Sequence, residues 1–425
     1  MQNGLWFDSS RVLAVAAPKL EGEHNCDVAI IGGGFTGLSA ALHLADSGVS
    51  VTLVEAHEIG SGASGRNGGQ VNPGLKLGEA ALIDRFGEAG RLYFRLGEEA
   101  TGFLADLVKR KALDCNWTSP GVLRLSHSAA ALDSAKAACE ILVKGGIGAR
   151  ILDREETAHL VGSTRYVGGL LDPRGGSVHP LDLVRSLGRA AVAAGANIHE
   201  HSRAMEIQLA GKSWCIVTPQ GRLTASRVIV ATNGYSDNIV PGLSQSLLPV
   251  NSFQVATAPL PVGMANSILP GGHTAYDSRR LILYFRKSPD GRVVLGGRAS
   301  FSSRRIDEDE RSDYSVLRKV LDGLFPQLQN VPITHNWSGL VCLTQDFLPH
   351  YHKPAQGLHV LVGYNGRGVA LSIRAGAWLG MNLAGKSQDV EMPATTIRPI
   401  PMHGLRAPVL NMVMYWNKFL DSLGK

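Results

Sequence analysis

The residues best suited to chemistry begin at Gly32-Gly33-Gly34-Phe35-Thr36-Gly37, which follows an apolar run at 28–31 and opens an amphipathic stretch at 35–46. In a strand, turn and helix of this kind, Gly32 permits the tight turn and Gly34 lets a pyrophosphate approach the backbone. Gly37 lets the helix pack closely on the sheet. The phosphates would then meet unpaired N–H groups at the positive end of the helix. Glu55 closes the next apolar run, 51–55, at the roughly twenty-residue distance expected of a carboxylate that bonds ribose hydroxyls. Its charge would repel a 2′-phosphate, which argues against NADP. The turn by itself leaves NAD and FAD open.

The segment beyond Glu55 narrows the choice. Gly60-Ser61-Gly62-Ala63-Ser64-Gly65-Arg66-Asn67-Gly68-Gly69-Gln70 is too glycine-rich for a plain connection. It is well placed to lie along a pyrophosphate and a flavin ring, where a simple NAD dehydrogenase would proceed to another helix. Through GASGRNGGQ the chain resembles the D-amino-acid oxidase superfamily of flavoproteins, and within it the gamma-glutamylputrescine oxidase group. The likeness extends through CDVAIIGGGFTGLSAALHLADSG, GGLLDPRGGSVHPLDL, ATNGY, LYFRKSPDGRVVLGGR, the WSG and LTQDFLPH pair, and GYNGRGVALS. The resemblance implies FAD that oxidises the C–N bond of an amine by accepting hydride at N5. The imine then hydrolyses to aldehyde and free amine, and molecular oxygen commonly reoxidises the flavin.

Carried over position by position, the resemblance puts Glu55 on adenosine ribose and Ser61, Ser64 and Gly65 along the pyrophosphate. Arg66, Asn67, Gly69 and Gln70 approach the isoalloxazine, and Ala204 falls where a backbone contact to adenine is usual. Gly366, Arg367, Gly368 and Val369 face the flavin C2 carbonyl, where positive potential stabilises the anionic reduced ring. The same segments add Ala56, Ala63, Gly68, Ala231, Thr232, Asn233, Gly234, Trp337, Gly339 and Asn365 to the expected cofactor wall. Arg66, Gln70 and Arg367 are the candidates for catalytic roles. A histidine is more usual where Arg367 stands, so Arg367 either supplies a permanent positive charge or points to solvent. The position at which some relatives bind flavin through cysteine falls near Gly339, with Cys342 off it, so non-covalent FAD is expected.

Substrate contacts are read from the later strands. Tyr284 and Arg286 share one strand face by period two, and Arg298 ends the partner strand, so an arginine there could hold a substrate carboxylate; exposure or pairing with acids is the alternative. Trp337 and Tyr364 could wall an amine pocket or could be core. Hydride transfer from a neutral amine needs no strong base, so His179 and His350 are expected to be structural.

The elements that must position these residues are those of an α/β chain. A doubly wound parallel FAD-binding domain (25–80, 147–240 and 335–388) is interleaved with an α+β substrate domain built on an antiparallel sheet (81–146 and 241–334). A polar N-terminal extension (1–24) and a tail (389–425) flank them. Helices are expected over 77–111, 129–143, 181–194 and 369–383, with a capping box at Asp153 and Glu156. A hairpin is expected over 204–217, and strands at 228–231, 248–258, 281–286, 293–298 and 359–363. With 425 residues, 44% hydrophobic and 18% charged, the chain has material for two domains. Its net charge of +6 is scattered rather than striped, so no nucleic-acid partner is expected. Five cysteines without metal spacing fit a reducing cytoplasm and no bound metal. The apolar residues of 405–423 are expected to dock on the protein's own core, with a membrane surface as the alternative. The expected partners are a small amine or amino acid and O2 or another electron acceptor. A non-catalytic flavin-binding assembly protein, or a dehydrogenase delivering electrons to a membrane quinone, are the competing readings.

Overall fold

The computed structural model describes residues 4–300, 314–387, 391–406, 408–413 and 416. Two large sheets dominate them. The first is nine-stranded and has Gly22–Ile31 at its centre, parallel to Gly221–Val230 on one side and to Val51–Val54 on the other. Leu358–Val362 continues it beyond Gly221–Val230, again in parallel, and Asn197–His199 completes the far edge. Of these strands, Gly22–Ile31, Val51–Val54 and Leu358–Val362 are buried along their inner halves and apolar there but for Thr52 and His359, as a parallel sheet covered on both faces requires. The hairpin Glu206–Ala210 and Ser213–Val217 is present, and it runs on into a ten-residue third strand whose first half the apolar pattern does not reveal.

One face of this sheet is covered by Phe35–Ala45, Pro180–Ala193 and Gly368–Leu383. The first and last of these pack backbone to backbone. A Cβ on Gly376 would lie 2.3 Å from the Thr36 carbonyl, and the Ser39 hydroxyl donates to the Ile373 carbonyl at 2.7 Å.

The second sheet has eight strands, mostly antiparallel, in the order Ile333–Leu343, Leu248–Thr257, Val293–Ser300, Tyr284–Lys287, Thr274–Asp277, Val122–Ser126, Gly168–Asp172, Arg150–Leu152. Side chains alternate between its faces. Leu123, Ala275, Phe285 and Leu295 stand in register and enter a core under Ser315–Leu324, whose Leu317, Leu321 and Leu324 are buried. The next row, Arg124, Tyr276, Tyr284, Gly296, Gln254 and Trp337, lies on the opposite face, toward the nucleotide sheet.

Three expectations are corrected. Residues 150–172 and Ile333–Leu343 are hydrogen-bonded into the second sheet, not the nucleotide sheet, because Gly168–Asp172 pairs with Val122–Ser126 and Ile333–Leu343 with Leu248–Thr257. The segment expected as a polar extension forms a short helix, Leu5–Ser9, with Leu5 and Trp6 buried. In the tail, Met414 and Leu420 lie outside the described residues, and among the described ones Leu405, Val409, Met412, Val413 and Trp416 are exposed rather than seated in a core. The helix over 77–111 divides into Glu79–Phe86 and Glu88–Arg110 at Gly87, which has φ +61°. The capping box at Asp153 and Glu156 forms as read.

Candidate functional site

A cavity of about 850 Å³ runs between the two sheets. Its floor is the turn after Gly22–Ile31. Gly32 adopts φ +112°, a conformation that L side chains rarely adopt, and a Cβ there would lie 2.9 Å from the Ala231 carbonyl. A Cβ on Gly37 would meet the Gly32 carbonyl at 2.0 Å, so this glycine is required for the helix to start where it does. The Glu55 carboxylate closes over the turn, accepting from Gly33 N at 2.6 Å and His57 N at 2.9 Å. At this end the wall is completed by Ala56, Ala204, Arg203 and His201.

The glycine-rich loop folds into a single turn, Ala63–Arg66, lying along the cavity. The Ser64 hydroxyl accepts from Phe35 N at 3.0 Å, fastening this turn to the first. The second sheet grips the loop from outside. Gln254 Nε2 and Trp337 Nε1 both donate to the Arg66 carbonyl at 2.8 Å, and Trp6 Nε1 donates to the Asn67 carbonyl at 2.8 Å. Behind Trp6, His179 packs edge-on at 5.1 Å and accepts from Asp182 N. Asp182 in turn accepts from Ser10 Oγ and from the amides of Arg11 and Val12. The N-terminal segment is thereby pinned behind the loop.

Most of the expected cofactor wall lines this cavity: Gly32, Gly34, Phe35, Thr36, Glu55, Ala56, Ser61, Ala63, Ser64, Arg66, Asn67, Gly68, Gln70, Ala204, Ala231, Thr232, Asn233, Gly339, Asn365, Gly366, Arg367, Gly368 and Val369. Gly37, Gly65, Gly69, Gly234 and Trp337 stand behind it instead. Gly37 and Gly65 allow close backbone crossings, and Trp337 supports the loop through its ring nitrogen. Asn233 and Asn365 spend their side chains on the chain itself, accepting from Gly363 N and Thr344 N respectively.

The three catalytic candidates have different surroundings. Arg66 Nε donates to the Ser61 carbonyl at 2.7 Å. Gln70 Nε2 donates to the carbonyls of Ala275 and Phe285, so its amide nitrogen is a strut to the second sheet and not a free donor. Arg367 is half-buried on the cavity wall and donates to the Pro73 carbonyl; it does not swing to solvent.

Among the substrate candidates, Tyr284 and Tyr364 line the cavity. Tyr284 shares a hydrogen bond with Ser252 at 2.9 Å, and burial pushes its phenol up to about 12. Tyr364 OH bonds Thr36 Oγ1 at 2.8 Å. Arg286 is corrected: it lies on the same sheet face but turns away from the cavity, donating to the carbonyls of Gly69 and Val178 beneath the Trp6 ring. No carboxylate among the described residues pairs with it, and burial lowers its pKa to about 10. The Arg298 side chain lies outside the described residues. His179 and His350 are both held by hydrogen bonds away from the cavity, His350 between Asp346 and Thr395. Cys342 lines the cavity, and burial pushes its thiol up to about 12, far from the thiolate that a covalent bond would need.

Sequence reasoning missed Lys76, Asn72, Gln254, Tyr276, Arg280 and Phe347 on the same wall. Phe347 carried a signal in retrospect: it sits between Asp346 and Leu348-Pro349 with φ +56°, half exposed at the cavity edge. Asp346 sustains that turn by accepting from Leu348 N, His350 Nε2 and Arg85. Asn72 Oδ1 and Gln254 Oε1 are buried acceptors with no donor among the described residues.

The volume falls within the roughly 300–1,000 Å³ of cofactor and ligand pockets. Backbone amides crowd its glycine floor, a carboxylate stands at one end, and orphan acceptors suited to ring or amine N–H groups stand at the other. These features fit a dinucleotide bearing a flavin. No helix among the described residues is long and apolar enough to cross a membrane, and no group of side chains there could hold a metal ion.

Comparison with known proteins agrees. The DAO family model, described as FAD dependent oxidoreductase, matches residues 27–380. A probable oxidoreductase OrdL of Rhizobium meliloti is 35% identical over 98% of this chain and 97% of its own length. The gamma-glutamylputrescine oxidoreductase of Escherichia coli is 32% identical over 94% of this chain and 93% of its own. Among solved structures, glycine oxidase from Geobacillus kaustophilus superposes with a TM-score of 0.75 at 21% identity, covering 89% of this chain and 99% of that one, a likeness of fold.

Proposed function

Because the chain belongs to the DAO family of FAD-dependent oxidoreductases, we propose that it oxidises a C–N bond in an amine or amino acid, with a gamma-glutamylated amine as the leading substrate class. The observation that carries this reading is one continuous cavity. It leads from the glycine turn at Gly32 to a chamber walled by Tyr276, Tyr284 and Phe347. FAD, held without a covalent bond, supplies a hydride acceptor at N5. The substrate carbon gives up a hydride and its nitrogen a proton; water then adds to the imine, releasing an aldehyde or keto acid and an amine or ammonia.

This chain's residues orient and exclude. Trp337 and Gln254 hold the Arg66 carbonyl, fixing the loop that would lie along the flavin. Arg367, tethered to the Pro73 carbonyl, keeps a permanent positive charge on the wall. Asn72 Oδ1 can accept a substrate N–H. Among the described residues no histidine lines the tyrosine-walled end; His57 and His201 lie at the adenosine end.

Anaerobic addition of candidate amines should bleach the flavin absorbance, and a broad amine and amino-acid panel that leaves it oxidised would defeat the proposal. The exposed apolar side chains of the tail favour a second reading, in which electrons leave to an acceptor at a membrane surface. Oxygen consumption with stoichiometric peroxide would count against it.

A further inference from the structure

The walls of the cavity are unequal in charge. At its adenosine end the cations and acids alternate: Glu55, Glu58 and Asp237 stand with Arg203, which pairs with Asp237 at 2.8 Å. At the far end the lining includes Lys76, Arg280 and Arg367 and, among the described residues, no acid. Lys76 comes from the segment that follows the flavin loop. It lines the cavity and has neither a hydrogen bond nor an ion pair among the described residues. Arg124 approaches from the second sheet. It stands in register with Tyr276 and Tyr284, on the face that looks into the cavity, and it too has no ion pair there. The nearby carboxylates are committed elsewhere: Glu98 and Asp172 to Arg174, and Asp277 to Arg279.

We propose that this far end is an anion subsite in which Lys76, assisted by Arg124 beside Tyr276, takes a carboxylate carried by the amine substrate. Lys76, Arg124 and Arg367 come from three separate segments and repel one another. The Lys76 side chain reaches the cavity from an exposed position, and partial desolvation with the charges of Arg367 and Arg124 lowers its pKa. A carboxylate would relieve that repulsion and accept charge-assisted hydrogen bonds from the ammonium. Tyr276 supplies a neutral hydroxyl-bearing wall for the chain between the two ends of such a molecule. The subsite lies apart from Arg286, whose guanidinium is spent on Gly69 and Val178. It rests on the amine-oxidation reading only for the identity of the molecule that carries the carboxylate.

The test separates the two. Glutarate is titrated into the FAD-loaded, oxidised protein while the flavin difference spectrum and the heat of binding are recorded. Binding is expected for the parent protein, with Kd raised tenfold or more in Lys76→Met, raised less in Arg124→Met and retained in Lys76→Arg. Glutaramide should bind weakly to all four. Flavin content and thermal midpoint verify that each variant is folded, and Lys212→Met, on the hairpin turn outside the cavity, is the charge control. Equal glutarate affinity in the parent and Lys76→Met, or no binding to the parent, overturns the subsite. The companion measurement compares turnover of an amine bearing a carboxylate with its carboxamide. The KM preference for the acid should collapse in Lys76→Met, and its persistence would overturn the subsite. If no amine reduces the flavin, the amine reading fails while the glutarate result still stands.

Discussion

Replacing Trp6 tests whether the N-terminal helix is part of the flavin site. The side chain is 1% exposed, its Nε1 donates to the Asn67 carbonyl at 2.8 Å, and its ring meets Trp337 edge-on at 5.8 Å. The Arg286 guanidinium lies 5.1 Å from the ring centroid. Truncation to alanine removes a buried aromatic worth ~3–5 kcal/mol and a desolvated cation–π contact worth ~2 kcal/mol. These overlap and do not simply add, but together they approach a typical folding free energy of ~5–15 kcal/mol. Trp6→Phe is the sharper probe because it keeps most of the packing and deletes one donor. An orphaned carbonyl costs ~1–3 kcal/mol. Because that carbonyl belongs to the flavin loop, the cost should fall on cofactor binding. FAD affinity, read by flavin fluorescence quenching on titration of the apoprotein, should weaken about 5- to 150-fold. For a tenfold loss, the extra stability conferred by saturating FAD in urea unfolding should shrink by about 1.4 kcal/mol. If Trp6→Phe destabilises the apo and FAD-loaded proteins equally and leaves Kd unchanged, the helix supports the fold and does not position the loop.

Gly37→Ala places a methyl 2.0 Å from the Gly32 carbonyl, so the purified variant should carry no FAD; normal flavin content would refute the close-packing argument. His179, His352 and His359 are buried, and burial lowers each to about 4 against an unfolded value near 6.5, so the unfolded chain takes up protons first. Stability should therefore be full above about pH 6.5 and decline toward pH 4, by up to ~2 kcal/mol per histidine at pH 5. Urea midpoints at pH 7.5 and 5 that coincide would exclude this. Arg286→Met should lower FAD retention without changing the preference among acidic and neutral amines, a contrast measurable on the same substrate pair. Acid precipitation should release all flavin to the supernatant, and yellow precipitate would contradict the buried, protonated Cys342.

The glycine turn, Glu55 and the parallel strands were legible because each local signal has a single structural use: a strand, a turn that only glycine tolerates, and a carboxylate at fixed distance. The helix read over 129–143 forms as Ala129–Lys144 with one face buried, and the three-residue spacing of Asp153 and Glu156 marked the capping box. The illegible features depend on pairing across long distances. Arg286 was correctly placed on the inner face by period two, yet the face alone does not say whether the guanidinium reaches the cavity or the loop backbone. That outcome is decided by Trp6 and by the carbonyls of Gly69 and Val178, far from it in sequence. Lys76 and Arg124 escaped notice for the same reason, since their shared corner exists only once the segment after the loop meets the second sheet. Residues 150–172 look like part of the nucleotide fold because a short apolar strand carries no mark of its partner.

The strand order of the nucleotide sheet also bears on how the protein is made. Ile30 pairs with Ile229, and Val230 in turn with Val360, so the wall behind the glycine turn is supplied nearly half a chain later and is buttressed later still. During synthesis the first strand and its turn emerge with apolar faces uncovered, and the cofactor cradle cannot close until most of the polypeptide has left the ribosome. Distant pairing of this kind slows folding and prolongs exposure of sticky intermediates. A cofactor that binds only the closed sheet draws the last step forward by mass action. Flavin supply in the cell thus becomes a determinant of how much of this chain reaches its native state, as well as of how much of it is active.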